Sequence, residues 1–170
     1  MSNSSERSSR AREPVVVRDL RKADRAGLVE ILQAVGNFSD EEIAVALELI
    51  DHGIHGTDPD YRFVVAERAG GRVAGYACYG PTPLTEGVHD LYWIAVDPTL
   101  QGSGVGRKLM DAVESTLTRE GARMILIETA SKPSYDATRA FYVRIGYDEL
   151  ARLPDFYRPG DDKVIYGRRL

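Results

Sequence analysis

The segment Leu91-Tyr92-Trp93-Ile94-Ala95-Val96-Asp97-Pro98-Thr99-Leu100-Gln101-Gly102-Ser103-Gly104-Val105-Gly106-Arg107 runs from an apolar strand candidate, through a turn and three spaced glycines, into a helix candidate that continues to Leu117. That order builds an anion cradle. Glycines remove the Cβ atoms, so neighbouring backbone N–H groups can converge on one phosphate. The first turn of the helix adds its own free N–H groups and the positive end of its dipole. Several phosphate ligands compete for such a loop. A dinucleotide fold places G-x-G-x-x-G after its first strand, with an acid about 20 residues on. Here the glycines fall as G-x-G-x-G, deep in the chain. A nucleotide-binding P-loop ends in Gly-Lys-Ser/Thr. Here Gly106 is followed by Arg107, Lys108 and Leu109, so no hydroxyl is placed for magnesium. A glycine turn without a ligand is the remaining alternative.

A second segment narrows the choice. Thr138-Arg139-Ala140-Phe141-Tyr142-Val143-Arg144-Ile145-Gly146-Tyr147 reads as a helix end stopped by glycine and followed by a strand. Between the two segments, residues 122–130 form a strong strand candidate. Gln-x-x-Gly-x-Gly after a strand ending in Val-Asp-Pro resembles the acyl-CoA pyrophosphate loop of the GNAT superfamily of N-acetyltransferases. The Phe141-Tyr142 segment resembles that family's A-x-x-F-Y-x-x-x-G-F pattern. The likeness covers the chain from about Val88 to the C-terminus, and more loosely the part before it.

Length and composition agree. The chain has 170 residues, 43% hydrophobic and 28% charged, which suits one globular domain. The net charge of −4 argues against a nucleic-acid or anionic-membrane partner. A single cysteine, Cys78, excludes a disulfide framework or a cysteine-rich zinc site within one chain. No apolar run reaches bilayer length and no signal-peptide core is visible, so the expected location is cytoplasmic.

The remaining pattern reads as one mixed α/β domain. Residues 1–13 are Ser- and Arg-rich and are expected to be a disordered tail, with the domain over 14–170. Residues 15–20 form a strand, and residues 22–35 a helix stopped by Gly36. Ser39-Asp40-Glu41-Glu42 is a capping box that opens a second helix through Ile50. Residues 61–67 and 73–79 pair as a hairpin around Gly70-Gly71. After residues 88–96 and the glycine helix come strand 122–130, helix 134–145 and strands 147–153 and 163–169. The resemblance implies a central, mostly antiparallel twisted sheet of about seven strands with helices on both faces, splayed between strands four and five.

It also implies an enzyme that moves acetyl from acetyl-CoA to a primary amine by direct attack in a ternary complex, with no metal. Such a reaction needs a neutral amine, a donor for the thioester oxygen and a proton for the leaving thiolate. Tyr142 matches the family tyrosine that meets the thioester sulfur, and a phenol near pKa 10 is protonated at neutral pH. The backbone of Ile94, Ala95 and Val96 carries over as the contact for the pantetheine arm and the thioester carbonyl. Gln101, Gly102, Ser103, Gly104, Val105, Gly106 and Arg107 carry over as the pyrophosphate loop. For the base, regular strand alternation puts Asp90, Tyr92, Ile94 and Val96 on one face and Leu91, Trp93 and Ala95 on the other. Asp90 is the first candidate, Glu128 on the adjacent strand the second, and His89 joins them only if a bulge turns it. Where many family members carry an asparagine seven residues before the motif tyrosine, this chain has Tyr135.

Phe38, Tyr92, Glu128, Phe156 and Tyr157 are the expected acceptor-site residues, with Asp161 or Asp162 available to attract a cationic amine. Phe38 reads equally as a helix staple, and 153–162 as a solvated turn. His52 and His55 lack a third ligand at metal spacing. The acceptor is a small amine or amino-acid derivative ahead of a peptide N-terminus or lysine. The family's last strands allow a homodimer. The competing functional class is a non-catalytic acyl-CoA-binding sensor or interaction module.

Overall fold

The computed structural model describes residues 14–170, and the tail expected over residues 1–13 lies outside the described residues. Seven strands form one sheet in the order β1-β2-β3-β4-β5-β7-β6. They are β1 (Val15–Asp19), β2 (Arg62–Arg68), β3 (Arg72–Pro81), β4 (Val88–Val96), β5 (Met124–Ala130), β6 (Asp148–Arg158) and β7 (Asp161–Arg169). Every pairing is antiparallel except β4 with β5.

Four helices cover the two faces: α1 (Arg25–Val35), α2 (Asp40–His55), α3 (Val105–Arg119) and α4 (Asp136–Arg144). On one face α3 buries Leu109, Met110, Val113 and Leu117 at helical spacing, together with Tyr142 of α4. On the other, α1 and α2 bury Leu28, Ile31, Leu32, Ala46 and Ile50 against Phe63, Val65 and Tyr76. The α1–α2 pair thus covers the β2–β4 half of the sheet, which leaves the β5 side of that face open.

The expected elements are present with three shifts. α2 runs to His55, beyond Ile50, because the apolar spacing continues to a left-handed Gly56. β6 extends to Arg158 by pairing past a register irregularity between Leu153 and Arg158. Helix entry at α1 and α4 takes a short 3-10 turn first, at residues 22–24 and 133–135.

The important difference is in β4. Cys78 of β3 pairs with Trp93 but the next residue, Tyr79, pairs with Leu91, so Tyr92 bulges out without a partner on β3. The bulge breaks the regular alternation. Leu91, Ile94 and Val96 pack with the α3 core, while Tyr92, Trp93 and Ala95 pack with the α1–α2 core. The expected grouping of Tyr92 with Ile94 and Val96, and of Leu91 with Trp93, is therefore corrected: one extra residue inverts every side chain beyond it.

Pairing between β4 and β5 stops at the same point. It joins residues 88–91 to residues 124–127 and no further. Beyond it, Glu128, Thr129 and Ala130 pair only with β7, and residues 93–96 only with β3. The two strands splay into a V with unpaired backbone edges facing each other.

The capping box at α2 is made in full: Glu42 N–H donates to Ser39 Oγ at 3.2 Å and Ser39 N–H to Glu42 Oε2 at 2.7 Å. It fixes where α2 begins, directly after Phe38. Ser39→Ala is expected to lower stability by about 1 kcal/mol, and Ser39→Gly by only a few tenths. Urea unfolding midpoints of the two variants check the order.

Candidate active site

The V opens into a cavity of about 950 Å³. The glycine loop and the start of α3 close one end, and α4 forms a wall. The other end lies between the α1–α2 connection and the β6–β7 turn.

At the loop end, Gly102 and Gly104 hold φ of +74° and +95°, and a Cβ at either would meet nothing within 4 Å. These glycines serve conformation and open access. Gly106 serves close approach: its Cβ would sit 3.2 Å from the Phe141 ring. The first N–H of α3 with a backbone acceptor belongs to Lys108, bonded to Gly104 O at 3.1 Å. The N–H groups of Val105, Gly106 and Arg107 find no backbone acceptor among the described residues. Three free donors at a helix start suit a pyrophosphate. Arg107 points along the helix to Asp111 at 2.9 Å. Ser103 and Val105 do not line the cavity by their side chains. The Ser103 hydroxyl donates to Leu100 O, and Val105, the first residue of α3, is buried in the core.

Along the V, Ile94, Ala95 and Val96 face Glu128, Thr129 and Ala130. Tyr142 lines the same space, 4% exposed, packed against Phe141, Tyr166 and Tyr147 with ring centroids at 5.5, 5.9 and 6.3 Å. Burial pushes its phenol pKa well above the ordinary 10, so it is a proton donor and not a base at neutral pH. No side-chain or backbone group among the described residues hydrogen-bonds its hydroxyl.

The two carboxylates separate. Glu128 lines the cavity and pairs with Lys163 Nζ at 2.6 Å. Asp90 does not line it and accepts a hydrogen bond from Thr82 Oγ1 at 2.8 Å. Burial pushes the Asp90 pKa up and nearby Glu128 adds to the rise, while the Thr82 hydrogen bond opposes it. His89 is likewise outside the cavity, with burial lowering its pKa and its Nδ1 sealed without a partner.

Phe38, Tyr92 and Tyr157 line the acceptor end, but Phe156 does not. Phe156 stands edge-on to Tyr157 at 5.0 Å and carries Lys163 Nζ over its face at 4.1 Å. Asp161 reaches the cavity with its carboxylate already engaged: Ser131 and Lys132 N–H donate to it at 3.1 and 3.2 Å, and Arg158 lies 3.7 Å away. Asp162 accepts from Asp155 N–H and Arg152. His52 and His55 bond to Thr57 and to Asp51 O, each at 2.7 Å, and no cluster that could hold a metal occurs among the described residues.

Four further residues, Tyr135, Thr129, Trp93 and Glu42, line the cavity without an expected acceptor or catalytic role. Tyr135 occupies the cavity wall near Lys132, whose Nζ lies 5.0 Å over its ring. Thr129 and Trp93 each carry a buried polar atom with no partner. Such an orphan costs about 1–3 kcal/mol in a closed interior. Trp93 keeps the face opposite Ile94 and Val96 that regular alternation gives it, and the bulge brings Tyr92 to that same face. Glu42 had been read only as a helix cap.

Known proteins agree with this geometry. The Acetyltransferase (GNAT) family model matches residues 26–147. This chain belongs to that family. It is similar to the N-alpha-acetyltransferase RimI of Mycobacterium tuberculosis, 30% identical over 151 residues that make up 86% of each protein. The crystal structure of a GNAT-family protein from Desulfovibrio desulfuricans superposes with a TM-score of 0.86 at 44% identity, covering 92% of this chain and 99% of that one. A Salmonella typhimurium GNAT-fold structure with its cofactor acetyl-CoA shares the fold at TM-score 0.72 and 22% identity, over 92% and 94% of the two chains. The GNAT enzyme described here is an acetyl-CoA-dependent N-acetyltransferase.

The Asp90 environment sets a pH-dependent outcome. A carboxyl whose folded pKa is raised favours the protonated form in the fold. It therefore lowers stability as pH climbs from its unfolded value near 3.8 through the folded value. Asp90→Asn is expected to raise the thermal midpoint at pH 7, with the gain vanishing below the unfolded pKa. Thermal melts of both proteins across pH 3 to 7 give the measurement.

Proposed function

We propose that this N-acetyltransferase works by direct attack of a primary amine within a ternary complex, with the acceptor a small amine or amino-acid derivative. The observation that carries the reading is the V between β4 and β5, which opens onto both the free N–H groups of the glycine loop and the buried Tyr142. The residues present fit acetyl-CoA, whose bound form supplies an activated acetyl thioester.

The chain's own groups take these roles. N–H groups of Gly102, Gly104, Val105, Gly106 and Arg107 hold the pyrophosphate, with Gln101 beside them. The unpaired edge of Ile94, Ala95 and Val96 holds the pantetheine arm, and one of its N–H groups stabilises the thioester oxygen as charge grows. Tyr142 gives its proton to the departing sulfur. Glu128 takes the amine's proton, in preference to Asp90, because it lines the cavity and Asp90 does not.

Aromatic walls, Phe38 on one side and Tyr135 and Tyr157 on the other, suit a slim acceptor. The likeness to RimI favours a second reading, the α-amine of a peptide. We also place the protein in the cytoplasm, without nucleic-acid or membrane partners. No helix among the described residues is long and apolar enough to cross a membrane. A homodimer through edge strand β6 is supported by Leu150 and Leu153, exposed along a strand paired only with β7.

Calorimetry with acetyl-CoA is the first test. Wild type is expected to bind, and Gly104→Glu, which puts a carboxylate where the pyrophosphate sits, to lose binding. Loss in neither protein removes the loop from the site. Tyr142→Phe is expected to lower kcat about 10²-fold, followed by thiol release, with little change in acetyl-CoA affinity. Equal kcat in the two proteins would turn the reading toward a binding module.

A further inference from the structure

We propose that the indole N–H of Trp93 selects the acceptor by donating a hydrogen bond to a carbonyl or carboxyl oxygen carried beside the reacting amine. This rests on the acetyl-transfer reading of the same cavity and narrows its substrate class.

Three observations carry it. First, the register of β4 on β3 turns Trp93 away from the α3 core and into the α1–α2 side of the cavity. There it immediately precedes Ile94, whose backbone lies on the open edge of β4. A group held by the indole is therefore within a few bonds of the amine that attacks at that edge. Second, Nε1 of Trp93 is sealed from solvent and has no partner in the protein. Buried donors are almost always satisfied, so a lone one at the wall of a binding cavity marks a place the ligand completes. Third, an indole nitrogen can donate and never accept. The completing group must bring a lone pair, which an ammonium or an alkyl chain lacks.

The neighbours permit entry. Phe38 packs on the indole with ring centroids 5.2 Å apart and planes tilted by 40°. It stands in the connection between α1 and α2, outside both helices, so its ring can yield without unwinding either. The other orphan of the cavity, the Thr129 hydroxyl, belongs to β5 across the V and is unpaired as well, so the two do not satisfy each other. An acceptor without the oxygen leaves the indole unpaired, and a site built to hydrogen-bond its substrate rejects such an analogue.

Trp93 is the single tryptophan of the chain. The ¹⁵N-labelled full-length protein, saturated with CoA, therefore gives one indole N–H resonance. Matched acceptors are titrated into it: alaninamide against ethylamine, phenylalaninamide against phenethylamine, and the tripeptides that begin with the same residues. The indole proton is expected to move downfield with the carbonyl-bearing members and to stay put with the plain amines. In turnover, the carbonyl members are expected to lead by about tenfold in kcat/KM, the worth of one hydrogen bond, and Trp93→Phe to collapse that lead. The amino-acid amides and the tripeptides separate the two sources of the same oxygen, and whichever is turned over with the lower KM names it.

A fixed indole resonance in the presence of a bound carbonyl acceptor overturns the proposal. So does a preference that survives in Trp93→Phe, or failure of every carbonyl-bearing amine to react in protein that binds acetyl-CoA. Failure to bind acetyl-CoA at all instead overturns the acetyl-transfer reading. If Trp93→Phe does not fold, the wild-type spectrum decides alone.

Discussion

The whole site hangs on the point where β4 stops pairing with β5. Four residues of each strand are joined, and then the Tyr92 bulge turns β4 aside. A sheet interior normally satisfies every N–H and C=O on both sides of a strand. Here residues 93–96 and 128–130 each keep one neighbour and present the other edge to a cavity. An extended, amide-bearing ligand is the natural partner for such an edge, because it replaces the missing strand. Acetyl-CoA supplies that chemistry in its pantetheine arm.

The same V brings together groups that no stretch of chain joins. At one end α3 begins with three N–H groups that have no backbone acceptor, and Gly106 lets its first turn lie against Phe141. The next residue, Tyr142, is held among three other rings. The glycine loop and the Tyr142 phenol are therefore parts of one packed unit. A ligand held at the loop would be set at a definite distance from that hydroxyl, which is what positioning requires. Across the V, the Lys163 ion pair holds Glu128 at the cavity wall.

Much of this was readable before the fold was known. The glycine loop with its flanking strand and helix, the Phe141-Tyr142 helix end, the hairpin at Gly70-Gly71 and the capping box at Ser39 are local patterns, and local patterns obey local rules. Leu91 and Tyr92 depart from the regular alternation for one reason. A strand's faces alternate until an extra residue intrudes, and residues 88–96 contain no glycine or proline to announce one. Phe156 and Tyr157 are adjacent aromatics of equal promise in the sequence. Adjacent strand residues point to opposite faces, and the fold around them gives Tyr157 the cavity and Phe156 the contact with Lys163.

Sequence alone determined the family, the fold class, the glycine loop at the start of α3 and the place of Tyr142 in α4. Each is encoded in residues close together along the chain, where spacing, backbone freedom and helix-end chemistry act directly. Tertiary structure decided which carboxylate meets the cavity, which aromatic walls it and where Trp93 points. Those outcomes depend on strand register and on what packs across the sheet. Register is set by long-range pairing, and a slip or bulge of one residue exchanges the buried and open faces.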